Sequence, residues 1–144
     1  MGYIFVSYSR RQLYFAETVV LHLQRAGLEV WFDLQQISPG EDWNSELREG
    51  YGNCERLVLI ASQAAIQSPY VQTEWETALH AGREVIIVMA EAVVLPDVLG
   101  KCPVYDARIR FDRTMQNLKG YLCGQQPARH DPIPDPGWGK LPMK

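Results

Sequence analysis

The chain has no dense run of Lys or Arg: fourteen basic residues against seventeen acidic ones leave a formal charge of −3. A nucleic acid or an anionic membrane as main partner calls for concentrated positive charge, so neither is expected. Long apolar runs are missing too. Val85 to Ala90 is the longest, and Glu91 closes it far short of the ~20 residues that a membrane-spanning helix needs. Cysteine is scarce. Cys54, Cys102 and Cys123 are odd in number and far apart, and no Cys-x-x-Cys or Cys/His cluster has metal-ligand spacing. Free thiols in a reducing, cytoplasmic setting are therefore expected, with no metal. Met1-Gly2 opens like a myristoylation signal, but Val6 stands where Ser or Thr is required. With Tyr3 to Tyr8 reading as a strand, no signal peptide is expected.

Several chemistries are also absent. No Gly-x-Gly-x-x-Gly follows the first strand, and there is no Gly-x-x-x-x-Gly-Lys-Ser/Thr, so neither usual backbone cradle for phosphates is present. Gly-x-Ser-x-Gly is missing as well. The three histidines, His22, His80 and His130, fall on helix faces or in the tail, where solvation accounts for His22 and His80. A phosphoacceptor site of the response-regulator kind wants clustered acids after the first strand, where this chain has Ser9-Arg10-Arg11.

What is present is an ordinary globular composition, 47% hydrophobic and 22% charged, over 144 residues, enough for one domain with a sizeable core. Tyr3 to Tyr8 is an apolar run rich in β-branched and aromatic residues and reads as a buried first strand. Leu13, Ala16, Val19, Val20, Leu23 and Ala26 recur at helical spacing, closed by Gly27. Leu28 to Asp33 reads as the second strand, followed by a loop built on Pro39-Gly40. Asp42 is a candidate N-cap for a short helix to about Tyr51. Arg56 to Ser62, the most apolar segment, is expected to be a central third strand. Glu84 to Ala90 and Val104 to Asp106 supply two more, and Thr114 to Leu122 a last helix. Strands alternating with helices on short connections imply a parallel sheet covered on both faces. From Gly124 five of the nine prolines crowd into the remainder. Residues 124–144 thus read as an extended tail or linker, leading to another domain, after a domain of residues 1–123.

Between the third and fourth strands lies Ser68 to Gly82, a helix with Ser68 and Pro69 as its N-terminal signals. At ~100° per residue, Val71, Trp75, Ala78, Leu79 and Gly82 share one stripe that should face a core. Glu76 and His80 point away from it. Glu74 lies at the edge of the stripe, one turn beyond Tyr70. Spacing alone leaves two accounts of this carboxylate, a boundary Glu that reaches water or a salt bridge, or a functional group. In a doubly wound sheet of order 2-1-3-4-5, ligands settle beyond the carboxyl ends of the strands, between the first and third. Ser7 to Arg10, Asp33 with its loop, and the start of the Ser68 helix would rim that crevice.

Four stretches in this order resemble the Toll/interleukin-1 receptor (TIR) domain, of the kind common in bacterial immune proteins. They are Phe5-Val6-Ser7-Tyr8-Ser9, Ala26 to Asp33 followed by Pro39-Gly40-Glu41-Asp42-Trp43, Leu57 to Ser62, and Ser68 to Trp75. The resemblance runs from Tyr3 to about Leu122 and implies a flavodoxin-like fold with five parallel strands. In the enzymatic branch it implies cleavage of the nicotinamide-ribose bond of NAD, giving nicotinamide and ADP-ribose or a cyclised product. The glutamate of the family's Trp-x-x-x-Glu motif is catalytic and corresponds to Glu74. Tyr70 stands where Trp is usual, and a Tyr ring still stacks on a flat base.

Such a site suits a single carboxylate. Nicotinamide in NAD is already cationic and leaves without a proton donor, so one of the two carboxylates of ordinary glycosidases is dispensable. Glu74 would then stabilise the oxocarbenium-like ribose or grip its hydroxyls. Tyr8, Ser9, Arg10, Asp33, Trp43 and Tyr70 are the candidates that bind substrate. Arg10 either meets the pyrophosphate or is an exposed Arg at a helix start; Trp43 either touches ligand or caps its loop; Asp33 either lines the site or holds that loop. NAD is expected as substrate, with no further cofactor. The resemblance also implies self-association through the loop Leu34 to Trp43, and an anti-phage or signalling role. The competing expectation is a scaffold that assembles with other TIR domains and leaves NAD intact.

Overall fold

The computed structural model describes residues 2–32 and 53–133. Among these, five strands form one parallel sheet in the order β2-β1-β3-β4-β5. They are β1 (Ile4–Ser7), β2 (Val30–Phe32), β3 (Arg56–Ala61), β4 (Glu84–Met89) and β5 (Val104–Asp106). The α-helices among the described residues are α1 (Leu13–Arg25), α2 (Gln63–Gln67), α3 (Pro69–His80) and α4 (Phe111–Leu122). This is the flavodoxin-like arrangement expected from the sequence. The expected loop Leu34 to Trp43, the helix expected from Asp42 to about Tyr51 and the part of the expected tail beyond residue 133 lie outside the described residues.

The apolar runs of β1, β3 and β4 are unbroken because these strands are covered on both sides, and alternate residues feed two separate cores. Phe5, Leu57, Leu59, Val85 and Ile87 pack on one face with Val71, Trp75 and Ala78 of α3. Ile4, Val6, Val58, Ile60, Ile86 and Val88 pack on the other with α1 and α4, through Val19, Leu23, Met115 and Leu118. β3 is central, as its composition suggested: Val58 pairs with Val6 on one side and Ile86 on the other.

Boundaries differ from the sequence expectation where local chemistry intervenes. Leu28 belongs to the end of α1 and not to a strand. Gly27 takes φ +89° and donates to Gln24 O, while Leu28 N donates to Leu23 O at 3.2 Å. That pair of bonds is a Schellman closure. Gly82, expected on the core-facing stripe, is instead exposed and ends α3 the same way, with φ +78° and Arg83 N donating to Ala78 O at 2.9 Å. Leu79 is only partly buried, at the margin of the core. α4 begins at Phe111, three residues before the expected Thr114, because Phe111 packs edge-on against Phe15 of α1 at 5.5 Å.

The segment after α4 returns to the sheet. Val104 N donates to Arg129 O and Asp131 N to Val104 O, both at 2.9 Å. Asp106 N donates to Asp131 Oδ2, and Ile133 packs against the α3-side core. The outer edge of β5 is thereby covered, which removes a row of exposed ladder groups.

Candidate active site

The carboxyl ends of β1 and β3 meet where the strand order reverses, and the polar groups gathered there compose the candidate site. β1 ends at Ser7, which is 1% exposed. Strand alternation turns Ser7 to the same side as Phe5, the side covered by α3. α3 starts at Ser68, whose Oγ accepts from Val71 N at 3.2 Å, with Pro69 in its first turn. Starting there, the helix buries Val71, Glu74, Trp75 and Ala78 together.

Glu74 is 9% exposed. A carboxylate withdrawn that far from water needs hydrogen-bond partners, and the Ser7 hydroxyl donates to its Oε1. The boundary residue foreseen in the sequence is thus a buried one, tied to the end of the first strand. Glu76, two residues on, accepts from Gln72 Nε2 along the helix surface at 2.9 Å. Tyr70 is 65% exposed and precedes Glu74 by one helical turn, so its ring stands on the rim.

The other expected residues divide. Ser9 caps the short 3-10 turn Arg10–Gln12, its Oγ accepting from Arg11 N at 3.3 Å. Arg10 is exposed on that turn, three residues after Ser7. Tyr8 goes the other way. The alternation that aims Ser7 at α3 sends the Tyr8 ring into the core under α1, where it is buried 6.1 Å from the Phe32 ring. Asp33 and Trp43 lie outside the described residues.

Two contacts were not foreseen in the sequence. Ser7 was placed on the crevice rim but not among the candidate site residues, although its place on the Phe5 face marked it as a polar residue at a core position. Glu91, just beyond β4, binds the strand ends together: its Oε2 accepts from Gln12 Nε2 at 3.2 Å and its Oε1 from Gln63 N at 2.8 Å. It thereby links the turn after β1 to the start of α2, and no sequence signal pointed to it. At the carboxyl end of β5, burial pushes the Asp106 carboxyl up, but hydrogen bonds and charge from Arg108 outweigh it and hold the group below the usual carboxylate range.

The amino end of the sheet is built for stability. Arg56 Nε meets Glu84 Oε1 at 3.0 Å across the β3–β4 register, and the Tyr121 hydroxyl donates to Glu84 Oε2. Burial, reinforced by that carboxylate, pushes the Tyr121 phenol up to about 12. The Cys54 thiol, near the start of β3, is pushed up to about 11 by burial. Among the described residues no group of His, Cys, Asp and Glu side chains could hold a metal ion, and no helix is long and apolar enough to cross a membrane.

A family model described as the TIR domain matches residues 4–119. No curated protein matches the chain. Among solved structures, the TIR domain of the Toll-related receptor TRR-2 from Hydra magnipapillata superimposes with a TM-score of 0.64 at 16% identity, covering 81% of this chain and all of that one. A metazoan TIR-STING receptor from C. gigas gives 0.60 at 20% identity, over 86% of this chain and 46% of that one. The activated Roq1 resistosome, in its TIR domains, gives 0.53 at 19% identity, over 62% of this chain and 57% of that one. At such identities these likenesses concern the fold.

Proposed function

The chain belongs to the TIR domain family, and on that premise we propose that it is an NAD nucleosidase in which Glu74 is the catalytic residue. The observation that carries this is the burial of Glu74 at the carboxyl edge of the sheet with a hydroxyl donor on its Oε1. A surface carboxylate gains nothing from such a position. One held in a largely water-free setting acts strongly on a cation.

In the proposed reaction the bond between ribose C1′ and the nicotinamide nitrogen breaks, and its electron pair leaves with nicotinamide, which departs neutral. Glu74 stabilises the positive charge that develops on the ribose or fixes its hydroxyls. Water then attacks C1′ and loses a proton to solvent to give ADP-ribose, or an adenine nitrogen attacks it to give a cyclic product. Tyr70 offers an exposed aromatic face to a flat ring, and Arg10 with Ser9 faces the pyrophosphate. Asp33 and Trp43 complete the substrate contacts, and Tyr8 supports β1 from behind. NAD is the substrate and no other cofactor takes part. Activity rises with self-association through the Leu34 to Trp43 loop, an assembled state that we extend to this chain from the resistosome among its structural neighbours. The setting is cytoplasmic, in anti-phage defence or signalling.

The test is incubation of purified protein with NAD over a range of protein concentrations, with chromatography of the products. We expect nicotinamide release that grows more than linearly with protein. Complexes that form while NAD stays intact would identify the chain as a scaffold.

A further inference from the structure

We infer that Ser7 is the positioning residue of the site: its hydroxyl sets the direction in which the Glu74 carboxylate faces. This rests on the assignment of Glu74 above.

Glu74 reaches the site on a flexible side chain with three rotatable bonds, a poor device for fixing an oxygen. Ser7 has one rotatable bond and a rigid base, since its backbone lies in the ladder opposite Leu59. A donor on a strand therefore aims an acceptor carried by a helix, the arrangement in which sites are held most closely. The surroundings argue that the hydroxyl is there for this purpose. On the α3 side of the sheet the neighbouring inward positions are Phe5, Leu57, Leu59, Ala61, Ile87 and Met89, all apolar. Among the described residues the buried polar side chains are Ser7, Ser62, Glu74 and Thr114. Ser62 caps α2 through Ala65 N, and Thr114 binds Asp106 O. Ser7 binds Glu74. An Ala at position 7 would suit these apolar surroundings and would leave the carboxylate without this donor. Because an ionised carboxylate only accepts hydrogen bonds, a hydroxyl that donates to it also favours the ionised form.

The experiment follows Ser7→Ala and Ser7→Thr in the full chain by two readouts. In steady-state nicotinamide release, Ser7→Ala lowers kcat roughly tenfold, with KM for NAD within about twofold of the wild type, and Ser7→Thr recovers most of the loss. In a carbon-13 NMR titration of the Glu74 carboxyl, Ser7→Ala moves the midpoint upward by about one pH unit, whereas Ser7→Thr leaves it in place. A role confined to core packing would lower the melting temperature and move neither. An unchanged midpoint in Ser7→Ala, or an unchanged kcat, overturns the inference. Should Ser7→Ala not fold, Ser7→Cys, of similar shape but a weak donor, replaces it, with an upward midpoint shift smaller than that of full donor loss expected and an unchanged midpoint overturning the inference. Should the wild type release no nicotinamide, the enzymatic assignment falls, and the titration alone decides whether Ser7 holds Glu74.

Discussion

At the scale of single residues, what separates Glu74 from its neighbours is the environment each helix position receives. Glu74 and Glu76 are two residues apart on α3, yet one is withdrawn under the sheet edge and the other lies along the helix surface with Gln72. Helical angles distinguished the two in the sequence, since an acid at the border of an apolar stripe is visible from spacing alone. Ser7 was not visible in that way. It sits inside an apolar run, and its role appears only when alternation is applied to assign faces, which also removes the Tyr8 ring to the opposite core. A second residue-scale consequence concerns Tyr121. Its folded-state phenol lies near 12, above the ~10 of an unfolded tyrosine. The folded state therefore favours the protonated phenol, so this contribution to stability is complete below pH ~10 and is lost as pH rises toward 12. Urea unfolding at pH 9 and pH 11 is expected to show a larger loss for the wild type than for Tyr121→Phe. Equal losses would remove Tyr121 from the account.

Elements were legible in proportion to how local their causes are. β3 and β4 announced themselves as continuous apolar runs, and α3 by Ser68, Pro69 and its glycine stop. α2, with five residues, is too short for periodicity to register, and its signal was a single buried Ser62 that was read as strand. The early start of α4 depends on Phe111 meeting Phe15 across the fold, a long-range cause that outweighs the missing N-cap. At this scale the closure of α3 is testable. A Cβ at position 82 would meet nothing within 4 Å, so Gly82→Ala is penalised by its φ of +78° alone. A loss of about 1 kcal/mol is expected in chemical denaturation, with the m-value unchanged. A substitution without effect would mean that the turn adopts another conformation in solution.

For the whole molecule, the sheet does two jobs at its two ends. Its carboxyl edge gathers Ser7, Glu74 and the Glu91 links, while its amino edge carries the Arg56–Glu84–Tyr121 cluster that braces β3 against β4. The strand order was legible because alternating elements on short connections leave few topologies. The return of Arg129 to Asp131 onto β5 was not, since prolines on either side of it, Pro127 and Pro132, read as an extended tail. Extended chain is also what pairs with a sheet edge. A chain ending at Gly124 is expected to melt about 4 °C lower or more, because Val104 and Asp106 lose the partners that residues 129–131 supply. An unchanged melting temperature would show that this edge needs no cover. The chemistry of Glu74 is decided by nicotinamide release from NAD, followed for wild type and Glu74→Gln side by side at equal, high protein concentration. Glu74→Gln keeps the shape and a hydrogen-bonding group for Ser7 but removes the charge, so a fall of roughly a hundredfold or more is expected with the fold intact. Full activity in Glu74→Gln would contradict the account.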